Sequence, residues 1–340
     1  MIKFKTASIE KKYRRVGTLS IVAVLFLILV GGIVRSTGSG MGCPDWPTCF
    51  GLLVPPTSVE EIPAQFFVDH PEYSSQEFNV YQTWTEYINR LVGALIGLFV
   101  LATAALSLVY FKKDRRIPPL SIAVVLLTGF QAWLGKVVVD KNLEGQYVTF
   151  HMLLAMVILA MLIVAVHLSK TWTRDKAPSF SIPGWVNWLG AGVVLVTLVQ
   201  TLIGTQVREE VDMIAESLSF QARETYVDLL GTSFSIHKVF WFVVVAGMIV
   251  WVRTLFKHMG DNRVVKLLSA AMMIGVALEV LFGILLANFA LPPVLQPAHL
   301  LIGSLIFAAQ FALFIYVVRI ERMGAPSDLA LSGIQRNTVA

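Results

Sequence analysis

Eight apolar stretches of roughly 20 residues, separated by short polar segments, constrain this chain more than any other feature. They fall at about 17–34, 82–110, 118–139, 147–168, 184–206, 233–256, 265–287 and 296–318. About 20 apolar residues in a helix span the ~30 Å hydrocarbon core of a bilayer, whereas a barrel strand needs only about ten. Composition points the same way. Of the 340 residues, 56 % are hydrophobic and 14 % charged, and a soluble domain is nearer a quarter charged. A soluble fold cannot hide this much apolar surface. The pattern predicts an all-α membrane protein with eight transmembrane helices. Two cysteines are too few for a disulfide framework.

Basic residues orient the spans. Twenty of the 27 Lys and Arg lie in segments on the N-terminal side of the membrane, among them Arg174, Lys176 and Arg336. The other side carries Arg35, Arg90, Lys136, Lys141, Arg208, Arg223 and Lys238. By the positive-inside rule both termini are cytoplasmic, and the long segments at about 35–81 and 207–232 face outward. The net charge of +5 is therefore a topology signal, and no nucleic-acid partner is expected. The first span is long and no small-residue cleavage site follows it, so it reads as a helix and not a cleaved leader.

An internal repeat divides the chain. Ile88-Asn89-Arg90-Leu91 resembles Ile236-His237-Lys238-Val239 at an offset of 148, which also relates Gly135 to Gly283 and His151 to His299. Arg35 and Arg208 match more loosely, at the ends of the first and fifth spans. The expectation is two pseudo-symmetric four-helix bundles, 17–168 and 184–318, related by an axis along the membrane normal. A cytoplasmic segment 1–16, a linker 169–183 and a cytoplasmic tail 319–340 flank them.

The histidines separate into two sets. His70, His167 and His258 read as solvated or interfacial. His151, His237 and His299 each fall within about a turn of the start of an even-numbered helix, at one depth near the outer face, and Asn89 holds the fourth equivalent position. His237 and His299 lie on the sixth and eighth helices. Facing imidazoles across a bundle make axial ligands for a haem iron; the alternative is two unrelated polar histidines. Recurrence of the arrangement in the other half favours haem. Zinc is less well served, because no Cys, Asp or Glu cluster offers further ligands.

Several other residues have two readings. Glu86 shares a helix face with Asn89 and is either functional or a helix-start carboxylate. Glu279, deeper in the seventh span, aligns with Gln131 and serves either a polar path or a bond between helices. Arg35 and Arg208 suit haem propionates or interfacial snorkelling, and Arg90 and Lys238 form a second such pair. Cys43 and Cys49 lie in an outer, disulfide-permissive loop, as a structural bridge or a redox-active pair.

Taken together, the motifs resemble those of the heme A synthase family. They are the run Gly31-Gly-Ile-Val-Arg35-Ser-Thr-Gly-Ser-Gly-Met-Gly-Cys43-Pro-Asp-Trp-Pro, Thr85-Glu86-Tyr-Ile-Asn89-Arg90-Leu, Thr149-Phe-His151, Gly204-Thr-Gln-Val-Arg208, Ile236-His237-Lys and Pro297-Ala-His299-Leu. The resemblance implies an eight-helix oxidoreductase of two four-helix halves, which oxidises the C8 methyl of heme O to a formyl group and supplies heme A to cytochrome c oxidase. It implies a b-type haem on His237 and His299, with Arg208 and Lys238 beside it. It implies a substrate haem in the N-terminal half on His151, with Arg35, Arg90 and Asn89 around it and Glu86 as catalytic group. The family pattern at Asn89 is usually a histidine. An amide is a poor iron ligand beside imidazole, so a five-coordinate or water-ligated iron on His151 is the expectation here. Heme O synthase and cytochrome oxidase assembly factors are the implied partners, with an electron donor, membrane lipid and a second copy of the chain. The implied location is a bacterial inner membrane. The rival function is a one- or two-haem b-type cytochrome carrying electrons from quinol.

Overall fold

The computed structural model describes residues 2–70, 78–170, 182–260 and 262–324. Arg174, Lys176 and Arg336 lie outside them, as do much of the linker and most of the tail. Among the described residues eight helices are long and apolar enough to cross a membrane, and the only strand-like pairing is the isolated bridge between Cys49 and Leu52. The helices are α1 (Ile2–Ser36), α2 (Val80–Ser107), α3 (Ile117–Asp140), α4 (Gly145–Leu168), α5 (Trp185–Ser217), α6 (Thr232–Met259), α7 (Arg263–Asn288) and α8 (Leu295–Gly324). In no span is more than 39 % of the apolar window buried inside the protein, so the remainder needs lipid around it.

Two helices run well past their apolar stretches. α1 is helical from Ile2, and α5 continues past its apolar stretch to Ser217. Hydropathy registers only the lipid-matched part of a helix. The flanking Lys, Glu and Ala residues are good helix formers that end the apolar signal without ending the helix. Local chemistry sets several ends. The Asn79 side chain accepts the Tyr81 and Gln82 N–H groups at 3.0 and 3.2 Å. Asn262 does the same for Val264 and Val265 at the start of α7. Pro118 and Pro119 sit in the first turn of α3, where their missing donors cost nothing.

Helices α1 to α4 contact one another cyclically, and α5 to α8 repeat that cycle. The two sets meet where α8 packs on α1 and α4, and α4 on α5. Each set has its own apolar core. Val100, Val124, Met156 and Leu159 fill one, and Met248, Trp251, Leu255 and Leu313 the other. Phe307 of α8 enters the first core. Gly32 of α1 lies against Pro297 of α8, where an added Cβ would come within 3.1 Å of its backbone.

At the opposite end of the bundle, polar side chains tie the helices. Tyr13 bonds Ser121 at 3.1 Å, and Arg319 donates to the backbone oxygens of His167 at 2.5 Å and Lys170 at 2.6 Å. His167 is only 7 % exposed and meets Tyr316 edge-on. That corrects its reading as a solvated or interfacial histidine: α8 packs over the end of α4 and covers the ring.

Candidate functional site

Each of the three histidines near the start of an even-numbered helix faces a glycine of the preceding odd-numbered helix. A Cβ on Gly135 would sit 3.3 Å from His151 Cε1, one on Gly204 would sit 3.2 Å from His237 Cε1, and one on Gly283 would sit 3.6 Å from His299 Cε1. Missing side chains thus leave the rings a seat against the neighbouring helix. One turn before each glycine stands Gln131, Gln200 or Glu279. Gln131 Nε2 donates to the His151 carbonyl at 3.0 Å, and Gln200 Nε2 donates to the His237 carbonyl at 3.1 Å. These amides clasp the backbone of the histidine itself.

His237 and His299 come together. Their ring centres are 6.3 Å apart and their planes cross at 71°. Metal–imidazole bonds of about 2.0–2.1 Å put two axial nitrogens about 4 Å apart and their ring centres a little over 6 Å apart. The pair therefore fits a metal held between two imidazoles. Among the described residues no group of three or more His, Cys, Asp or Glu is placed for a metal ion.

The α1–α2 quarter departs from this pattern twice. Leu27 stands where the glutamines stand elsewhere, and Asn89 replaces the histidine. Among the described residues, no atom lies within 4 Å of a Cβ added at Gly31, the glycine of that quarter, and Asn89 Oδ1 is buried without a hydrogen-bond partner.

Glu86 is 4 % exposed and lies under the loop between α1 and α2. Its Oε2 accepts the Cys43 N–H at 2.7 Å, and its Oε1 meets the Arg90 guanidinium at 2.5 and 3.2 Å. Arg90 also donates to the backbone oxygens of Cys43, Asp45 and Thr48 at 2.6–3.0 Å. Carboxylate and guanidinium together hold the turn closed by the Cys43–Cys49 disulfide. Gly42 makes this contact possible, since a Cβ there would lie 2.3 Å from Gln82 O. The repeat-related Lys238 is used differently: it is exposed, over the Phe234 ring at 5.2 Å.

Arg35 and Arg208 converge on one carboxylate. Arg35 meets Asp212 Oδ2 through Nε at 3.1 Å and a terminal nitrogen at 2.8 Å, and Arg208 meets Oδ1 at 2.5 Å. Arg208 also donates to Gln296 Oε1 at 2.5 Å and to the Arg35 carbonyl at 3.3 Å. The cluster joins α1, α5 and α8. Sequence reading passed over Asp212 and Gln296, which lie at or beyond the ends of the apolar stretches. Gln200 was detectable, because Gln or Glu precedes Gly by four residues on α3, α5 and α7 alike.

Residues 14–311 match the family described as cytochrome oxidase assembly protein. Among curated relatives, the heme A synthase of Shewanella oneidensis is 32 % identical over 137 residues, 40 % of this chain and 39 % of that one. The heme A synthase of Bacillus licheniformis is 25 % identical over 201 residues, 58 % and 59 % of the two chains. In both, less than two thirds of the relative's own length is matched. The heme A synthase of Rickettsia conorii is 24 % identical over 330 residues, 85 % of this chain and 93 % of that one.

Proposed function

The chain belongs to the heme A synthase family of cytochrome oxidase assembly proteins, and from that premise we propose that it oxidises the C8 methyl of heme O to the formyl group of heme A. The observation that carries this reading is the His237–His299 pair, spaced for an iron atom inside an eight-helix membrane protein. A b-type haem there would supply one-electron transfer and no open coordination position. In this reading the two imidazoles hold the cofactor, the glycines seat the rings, and Gln200 fixes the backbone of one ligand. Arg208 and Lys238 are the cations on that side.

The substrate haem belongs to the N-terminal half, 17–168. His151 ligates its iron and Asn89 does not. Arg35 offers a cation at the junction with the other half, 184–318. Glu86 is the catalytic group. Its carboxylate, held by Arg90 and the Cys43 N–H, is the group proposed to accept a proton. The matching contact cycles of the two helix sets support pseudo-symmetric bundles. The bias of basic residues supports cytoplasmic termini and a plasma-membrane location with the haem sites toward the outside. Heme O synthase is the expected supplier, and oxidase assembly factors the expected recipients.

One observation favours the electron-carrier alternative: Glu86 and Arg90 already have partners in the loop. Co-expression with a heme O synthase, followed by haem extraction and mass measurement, separates the two. Heme A in the extract supports the synthase. A single b-type haem, with heme O left unconverted, supports the carrier.

A further inference from the structure

Three helices carry a Gln or Glu one turn before the histidine-facing glycine, and only α7 has the acid there. The amides of Gln131 and Gln200 donate to the carbonyls of His151 and His237. A carboxylate has no N–H and cannot make that bond. Glu279 turns instead to the imidazole: its Oε2 lies 3.3 Å from His299 Nδ1. Both atoms are buried, and among the described residues neither completes a hydrogen bond of ordinary geometry, to the other or to any other group. The carboxylate is seated from the other side by Gly303, one turn beyond His299 on α8, where an added Cβ would lie 3.1 Å from Glu279 Oε1.

We propose that Glu279 is the positioning residue of the His299 ligand. It accepts the Nδ1–H bond, leaves Nε2 for the iron, and makes His299 the stronger donor of the two axial imidazoles. Ligating histidines commonly give their second ring N–H to a carboxylate, which fixes tautomer and ring orientation and raises ligand basicity. A more basic ligand favours the oxidised iron. The b-type haem is thereby held at a lower potential than an amide at the same place would give it. Gln131, the counterpart in the N-terminal half, leaves His151 without this bond, so the repeat is electronically asymmetric between its two haems. The inference rests on the proposed ligation by His237 and His299.

The test is a redox titration of the purified full-length protein, followed by the visible spectrum of its low-spin haem. Glu279→Leu should keep that spectrum and raise the midpoint potential by at least the equivalent of a tenfold shift in the reduction equilibrium, about 59 mV for one electron. Glu279→Gln retains an acceptor and should shift it less. Gly303→Ala, which changes no polar group, should displace the carboxylate and move the potential in the same direction. If Glu279→Leu fails to hold haem, rescue by Glu279→Gln supports the positioning role. If both variants fail to hold haem, Gly303→Ala decides. An unchanged potential in a haem-loaded Glu279→Leu or Gly303→Ala protein overturns the inference. If His237→Ala and His299→Ala keep the low-spin spectrum, the ligation itself is wrong.

Discussion

At the scale of single residues, the two histidine-bearing halves make different demands. Removing either His237 or His299 by Ala should abolish the low-spin spectrum, because in the proposed ligation each supplies one side of a two-ligand site. An unaltered spectrum in both variants would refute the ligand assignment. Glu86→Gln probes a group with two partners, Arg90 and the Cys43 N–H. The amide keeps an oxygen for one of them but loses the charge. It should leave the low-spin haem intact and slow heme A formation about 100-fold or more, the scale of a lost proton-transfer group. Heme A formation at the normal rate would reduce Glu86 to an anchor of the loop between α1 and α2. Asn89→His places at this position the ring that the three other quarters carry. It should add a ligand to the substrate haem, read as a second low-spin component in the spectrum.

At the scale of elements, the loop between α1 and α2 is held by one disulfide and by the polar ties of Glu86 and Arg90. The disulfide closes a short stretch, with a sequence separation of 6. Its loss should cost about 2 kcal/mol by the chain-entropy account. Cys43→Ser with Cys49→Ser should lower the thermal midpoint of the purified protein while leaving haem binding in place. Full loss of activity in a folded double variant would point to a redox role for the pair. The C-terminal extension of α5 carries Arg208 and Asp212 beyond the apolar stretch, to where Arg35 of α1 can reach them. Asp212 is 41 % exposed, so Asp212→Asn should cost no more than about 1 kcal/mol of stability despite its two arginine partners.

At the scale of the whole molecule, topology is open to direct labelling. Both native cysteines are locked in the disulfide, so a new cysteine is the only thiol available. Val54→Cys lies in the exposed outer loop and should react with a membrane-impermeant thiol reagent in intact cells. Lys257→Cys, near the end of α6 on the opposite side, should react only after the membrane is opened. The reverse pattern would invert the orientation and place the haem sites toward the cytoplasm. Contact between the halves rests on α1 and α4 against α8, on α4 against α5, and on the arginine–aspartate cluster.

Helix number, the approximate spans and the pairing of like positions between halves were written in one dimension. They depend on apolar length, which the bilayer enforces without help from distant residues, and on the recurrence of His, Gly and Arg along the chain. The sequence alone brought His151, His237 and His299 to similar positions on their helices, because helical rise converts residue count directly into depth. It left the second contacts undetermined. That Arg35 and Arg208 share Asp212, that Glu86 spends its carboxylate on Arg90 and a loop N–H, and that α8 buries His167 all depend on which helices become neighbours. Glu279 shows the division most clearly. Its repeat relation to Gln131 is legible in the chain, but the choice of imidazole over carbonyl follows from a missing N–H and a glycine on another helix. Only packing brings those two facts together.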